Sequence, residues 1–250
     1  METGNPSTAV GISRISQAYP DRVEVRGRDL CDELMGRLSF TEYFHLLLTG
    51  REPTEDQRLF LDLVLVAIAE HGMMPSNVTA RMTLAADPGS LQGAVAAGIL
   101  GCGPVLLGTA EECARLLEEA QARVTAGAEP AAVTVAIAER IHADGGKAPG
   151  FGHPVHRPVD PRAERILELA DARNVSGAHV LLARSFRGAV AEVWAKPLPM
   201  NVSMPIAAVM LDLGYPSAAV KTVPSLARTA GLLAHLAEER ERPLGLVLAA

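Results

Sequence analysis

The chain has 250 residues, enough for one large domain or for a domain with a smaller lobe. Hydrophobic residues account for 48% and charged residues for 21%, the balance of a globular protein with a sizeable core. The formal charge is −6 and no basic run occurs, which argues against a nucleic-acid surface and means that an anionic ligand must be met by cations gathered locally.

The opening METGNPSTAVG has no basic segment followed by an apolar one, so no secretory leader is expected. Arg22 to Arg26 (RVEVR) is the one short alternating segment and predicts a strand in a two-stranded edge. Beyond it Ala and Leu dominate, apolar residues recur at helical spacing, and aromatic residues are scarce. Thr41 precedes an apolar run to Leu48 that Gly50 closes, a helix with a start and a stop. Glu52-Pro53-Thr54 opens a second helix through Leu59, Leu63, Val66 and Ile68, ending near His71-Gly72. Residues 89–108 (GSLQGAVAAGILGCGPVLLG) are small and apolar and suit close helix packing. Further helices are predicted over Glu111–Val124, Ala131–Ile141, Arg162–Ala172 and Val180–Val193. A last long helix runs from about Val223 to Glu241, with Leu226, Leu233 and Leu236 on one face. The predicted fold class is all-α. No uncharged apolar run reaches ~18 residues, so no transmembrane helix is expected. Cys31, Cys102 and Cys113 form no CxxC pair, and an odd count without a leader fits a reducing cytoplasm.

Ala143 to Pro161 breaks the helical rhythm. It reads ADGGKAPGFGHPVHRPVDP, with four Gly, four Pro and two His. A loop of this length inside a compact domain is more often functional than idle. His153 sits among glycines, Asp160 suits a helix N-cap, Pro161 suits the first helical position, and Arg162 falls in the first turn. Arg162 can fork two hydrogen bonds to a carboxylate, and the helix N-terminus adds favourable potential for an anion. The pattern reads as an anion site with a histidine donor beside it; a rigid structural turn is the alternative. His153 and His156 make an HxxH pair, but no Glu or third ligand follows at zinc-site spacing, so no metal is expected. GxGxxG, GK[ST] and GxSxG are all absent, which disfavours two kinds of nucleotide site and a nucleophile elbow.

GFGHPVHRPVDPRA (150–163) resembles the loop of citrate synthases and citryl-CoA lyases that carries a GxGH…DPR pattern. The likeness extends to VRGRDLCDELMGRLSFTEYFHLLLTGREPT (25–54), EHGMMPSNVTAR (70–81), NVSMPIAAVMLDLGYP (201–216) and LARTAGLLAHLAEE (226–239), all in family order. The chain therefore resembles the citrate synthase superfamily, and its compact citryl-CoA lyase-like branch most of all. The resemblance implies a large helical domain from residues 1–108 and 200–250, and a smaller helical lobe, 109–199, that carries the loop and closes over substrate. It implies a homodimer, with 89–108 as a candidate contact, although a buried core role is equally compatible. It also implies a polycarboxylate pocket. There His71, His153, Arg162 and Arg228 bind the carboxylates and the keto or hydroxyl oxygen of oxaloacetate or citrate, and Gly150 and Gly152 lie against the coenzyme A moiety. His235, at the family's AH position, is left to helix packing. On this reading, replacing Arg162 with alanine removes most polycarboxylate binding and leaves the fold intact.

Two positions depart from the family pattern. The histidine that polarises the thioester carbonyl belongs to a GPLHGG-type segment, and GPVLLG (103–108) has Leu106 in its place. The α-proton acceptor is the Asp of NVD, and here the residue is Ser203, which is no general base near neutral pH without a partner. The lyase branch dispenses with that histidine, so the resemblance implies cleavage of citryl-CoA, or a close analogue, to oxaloacetate and acetyl-CoA. The coenzyme A ester is the substrate, and no metal takes part. His153 handles the hydroxyl, and His156 or a water held by Ser203 serves the enolate, which makes His153, His156 and Ser203 the candidate catalytic residues. Two alternatives stand beside this one: C–C bond formation or cleavage on another pair of 2-oxo acid and acyl-CoA, and a non-catalytic polycarboxylate or acyl-CoA binder.

Overall fold

The computed structural model describes residues 13–103 and 109–249. The chain divides into two compact units, residues 1–59 and 60–250. In the first, β1 (Ser16–Ala18), β2 (Val23–Val25) and β3 (Arg28–Asp29) form an antiparallel sheet in the order β1-β2-β3. Val25 therefore has a partner on each side, Ser16 and Arg28, where the sequence suggested one. The extra strand arises because Arg26 and Gly27 both take positive φ, at 51° and 79°, and turn the chain straight back. A π-helical turn (Leu30–Leu34) follows, capped by the Asp29 carboxylate. Helix α1 (Phe40–Thr49) starts earlier than Thr41 suggested. Its N-cap is Ser39, which forms a capping box with Glu42, and Gly50 ends it in the left-handed conformation. Val25, Leu34 and Leu46 make the small core of this unit.

Helix α2 (Glu55–Ala69) contains the boundary between the units. It opens after Glu52-Pro53-Thr54 as the sequence suggested, and Thr54 and Gln57 exchange hydrogen bonds at its start. It stops at Ala69, so His71 lies in a turn beyond the helix rather than on its last turn. Phe60, Leu61, Val64 and Ile68 are buried, whereas Val66 is 79% exposed. Two residues from Val64 is about 200° round a helix, which puts Val66 on the opposite face.

The second unit continues with α3 (Pro75–Ala86), α4 (Leu91–Leu100), α5 (Thr109–Thr125), α6 (Pro130–Ala143), α7 (Pro161–Ala172), α8 (Ala178–Val193), α9 (Ser203–Asp212), α10 (Ser217–Val220) and α11 (Thr222–Glu241). The five helices expected after residue 108 are all present, with ends within two residues of expectation. Among the described residues no strand exceeds three residues, so the fold is all-α, and no helix is long and apolar enough to cross a membrane.

Helix α9 is the centre of the unit. Met204 through Leu211 are all buried, and the helix packs against α5, α7 and α8. Ala94 and Gly98 of α4 join Ala80, Leu84, Leu232 and Leu236 in a second cluster. A Cβ at Gly98 would stand 2.7 Å from a Leu232 methyl, so the described part of the small-residue stretch uses its glycine for core packing. Leu232 and Leu236 face this core, but Leu233 is 45% exposed and does not share their face. Gly231 has a different task. A Cβ there would lie 2.0 Å from the Ala69 carbonyl oxygen, so only glycine lets α11 reach the end of α2, two residues before His71.

Candidate active site

The glycine-rich loop is held in place by the segment that opens α9. Phe151 bridges to Met200, Gly152 N donates to the Pro199 carbonyl at 2.7 Å, and Asn201 N donates to the Gly150 carbonyl at 2.8 Å. The Asn201 side chain closes the lattice by donating to the Gly152 carbonyl at 3.0 Å. Two motifs some 50 residues apart in sequence thus form one wall, and a cavity of about 180 Å³ opens beside it. His71, His153, Arg162, Ser203, Gly152 and Arg228 all line this cavity. Gly150 does not. It is buried at φ 77°, and a Cβ there would stand 2.8 Å from both Cys113 Sγ and Met204 Cβ, so its place is in the packing under the loop. Leu106 lies outside the described residues.

Asp160 and Pro161 cap and open α7 as the sequence suggested. The Asp160 carboxylate does more than cap. Wholly buried, it accepts from Arg162 Nε at 3.0 Å, Arg162 Nη2 at 2.8 Å, Arg162 N at 3.1 Å and Val202 N at 3.2 Å. Burial pushes this carboxyl up, but the Arg162 guanidinium overrides that and holds it below the usual carboxylate range. Arg162 is therefore a clamped cation, and removing it leaves an uncompensated buried charge. The expectation that Arg162→Ala leaves the fold intact gives way to one of substantial destabilisation.

His153 Nδ1 accepts from the backbone amides of Val155 and His156 at 3.1 and 2.9 Å. A neutral ring so held carries its proton on Nε2, which faces Arg162 Nη2 at 3.5 Å. Two donors therefore point into the same space with no acceptor between them, an arrangement that a ligand oxygen completes.

His71 reaches the cavity from the turn between α2 and α3. Its backbone N–H donates to Glu70 Oε1 at 2.8 Å, and Glu70 Oε2 lies 2.9 Å from His235 Nε2. His235 Nδ1 in turn accepts from Arg81 Nε at 3.1 Å. Arg81 is fully buried and is held by Glu239 at 2.9 Å and by Glu238. His235 thus packs between helices, and through Glu70 it anchors the turn that presents His71. His156 meets His71 with the two Nε2 atoms 3.1 Å apart, and its ring stacks on His153 at 4.3 Å between centroids.

Arg228, in the second turn of α11, is only 8% exposed, and its Nε and Nη1 are buried with no hydrogen-bond partner. Two buried guanidinium nitrogens without partners are costly and suit an anion that reaches them from the cavity. The backbone points the same way. Met74 at the start of α3, Thr109 of α5, Arg162 of α7 and Ser203 of α9 all border the cavity, so four helix N-termini converge on it. The sequence revealed only the third of these. Asp160 and this convergence are what sequence reasoning missed. The N-cap pattern marked Asp160 but not its hold on Arg162, and the convergence has no local signal.

Ring nitrogens of His71, His153 and His156 lie within 4.8 Å of one another, so the fold supplies the third histidine that the HxxH spacing lacked. The donor set nevertheless suits an anion. The His153 lone pair is turned to backbone amides, and Arg162 and Arg228 oppose a cation. Burial lowers the pKa of His71 and of His153, and Arg162 and His156 lower both further against the opposing pull of Asp160. An arriving polyanion reverses part of that depression at His71, while the His153 lone pair stays engaged by the two amides, so the complex binds more protons than the free protein. Citrate affinity is therefore expected to strengthen as pH falls from 8 to 6, with proton uptake on binding. Calorimetric titration in buffers of different ionisation enthalpy measures that uptake; proton release would contradict it.

A family model described as "Citrate synthase, C-terminal domain" matches residues 6–245. A citrate synthase of Heyndrickxia coagulans is 30% identical over 210 residues, covering 82% of this chain and 53% of that protein. The chain thus spans about half the length of the curated relatives it matches. Among solved structures, a citryl-CoA lyase from Hydrogenobacter thermophilus superposes with a TM-score of 0.81 at 28% identity, covering 92% of this chain and 87% of that one. An ATP citrate lyase from Methanothrix soehngenii, in complex with citrate and coenzyme A, superposes with a TM-score of 0.79 over 95% of this chain and 40% of that one; at 22% identity this is a likeness of fold.

Proposed function

The chain belongs to the citrate synthase family, and on that premise we propose that it cleaves citryl-CoA, or a close analogue, to oxaloacetate and acetyl-CoA. The observation that carries the reading is Arg228, a buried guanidinium with two unpartnered nitrogens in a cavity it shares with Arg162 and His153. A compact polycarboxylate supplies an oxygen for each of these donors. Arg162 and Arg228 take carboxylates, His71 and His153 bond the carboxylate and the hydroxyl or keto oxygen, and Ser203 borders the same cavity at the start of α9. Coenzyme A enters as the ester. Gly152 borders the same cavity, and its open Cβ side leaves room for the chain of that ester.

Cleavage is favoured by Leu106, because the lyase branch that the chain resembles dispenses with the thioester-polarising histidine. Ser203 cannot move the α-proton unaided in either direction, so another group must do so. The opposite reading, C–C bond formation on the same or another pair of 2-oxo acid and acyl-CoA, is favoured by the citrate synthases among its relatives. The division into residues 1–108 with 200–250 and a lobe of 109–199, and assembly as a homodimer, rest on family membership alone. The test is incubation with citryl-CoA, and separately with oxaloacetate and acetyl-CoA, with products followed by mass spectrometry. Formation of oxaloacetate and acetyl-CoA by the wild type and not by His153→Ala is the expected result. Citrate binding without turnover of either mixture would make the pocket a binding site only.

A further inference from the structure

Cleaving the bond between the carbinol carbon and the thioester arm requires a base for the hydroxyl proton and an acid for the departing carbon. His153 does not offer the base, because its lone pair is occupied by the Val155 and His156 amides. Asp160 is wholly buried, with both oxygens engaged by Arg162 and the Val202 amide. Ser203 holds its proton near neutral pH. The remaining groups are His71 and His156.

Their Nε2 atoms are 3.1 Å apart, so one must carry a proton and the other must accept it. The two arrangements are opposite tautomers of both rings. When His71 Nε2 donates, its Nδ1 is bare; when His71 Nε2 accepts, its Nδ1 carries hydrogen. His71 lines the cavity, whereas His156 is not among its lining residues and meets His71 through Nε2. We propose that the His71–His156 pair is the acid–base relay of the reaction proposed above, with His71 facing the substrate and His156 holding the proton in reserve. The inference rests on that reading of the function.

In cleavage the hydroxyl proton passes to His71 Nδ1 as the Nε2 proton of His71 moves to His156. The electron pair left on oxygen forms the keto group of the 2-oxo acid. The electrons of the breaking C–C bond pass to the thioester arm as its enolate. His71 Nδ1 then protonates the enolate carbon, and His156 returns its proton to His71 Nε2. Atoms and charge balance without an oxidant or a second reactant. The Asp160 carboxylate attracts a transient positive charge on His156. Glu70, bonded to the His71 amide, keeps the ring in register with its partner.

His156→Gln and His156→Ala test this with citryl-CoA as substrate and citrate as binding probe. The relay predicts that kcat falls by about 100-fold or more in both while the citrate Kd changes by less than about threefold. It also predicts that the pH profile of kcat loses its wild-type shape, and that added imidazole restores part of the rate to His156→Ala. Wild-type kcat and pH profile in His156→Gln would overturn the relay and leave the function standing. A lower rate with an unchanged pH profile and no rescue by imidazole would mark His156 as structural and also overturn it. A wild type that binds citrate and cleaves nothing would overturn the function, and the relay with it.

Discussion

Arg228→Met is expected to melt at a higher temperature than the wild type and to bind citrate at least ~100-fold more weakly. Both effects have one cause. In the free protein the Arg228 guanidinium is withdrawn from water with Nε and Nη1 unpartnered, a cost of about 1–3 kcal/mol for unsatisfied buried donors. Methionine fills a similar volume without that cost. At roughly 2–4 °C per kcal/mol for a chain of this size, the rise in Tm is measurable by calorimetry. Bound citrate neutralises the arginine, so excess citrate should narrow the gap by stabilising only the wild type. A variant that melts lower than wild type would mean that Arg228 is a structural cation, and unaltered citrate affinity would remove it from the site.

Asp160→Asn is expected to act in the opposite sense on stability and in the same sense on binding. The carboxylate holds Arg162 through two side-chain bonds, caps α7 and meets the Val202 amide at the start of α9. Asparagine keeps one acceptor and loses the charge, leaving Arg162 partly unpaired. The expected cost is about 3 kcal/mol, the lower end for a broken buried pair because Arg162 retains some contact with water. That corresponds to a fall in Tm of roughly 6–12 °C. The dependence on pH follows from the depressed pKa of Asp160. The carboxylate contributes fully above its unfolded pKa of about 4 and loses that contribution as pH falls through the lower folded value. The gap between wild type and variant should therefore be constant above about pH 5 and shrink in acid, which thermal denaturation across pH can follow. A gap that persists unchanged at pH 2 would assign the effect to lost packing.

Where a helix exposes one face, its sequence was readable. The periodicity of α5 through α8 and of α11 located each one closely, because each buries a stripe and wets the rest. Helix α9 escaped notice because it has no wet side: Met204 through Leu211 are all buried, so no period exists to read. Helix α3 escaped for a related reason. Its buried face carries Ser76, Asn77 and Arg81, and the last two find their partners on α11 and in the turn after α2. Val66 and Leu233 were placed on buried faces by their chemistry alone, and neighbours at the right phase occupy those faces instead.

The candidate site was legible in its components and not in its couplings. Capping chemistry at Asp160-Pro161-Arg162 and the glycines around His153 identified the anion loop from local pattern. Family likeness added His71 and Arg228, and both line the same cavity as that loop. No local signal reports that His71 and His156, 85 residues apart, share a hydrogen bond, or that Arg228 is left without a partner. Those facts depend on how segments distant in sequence meet in the fold.

The most direct measurement is a crystal structure of the protein grown with citrate, alongside Arg228→Met treated identically. The account predicts citrate in the wild-type cavity with one carboxylate within hydrogen-bond distance of Arg228 Nε and Nη1, and an oxygen between His153 Nε2 and Arg162 Nη2. The variant should hold none. An empty wild-type cavity at saturating citrate, or citrate bound away from Arg162 and Arg228, would contradict it.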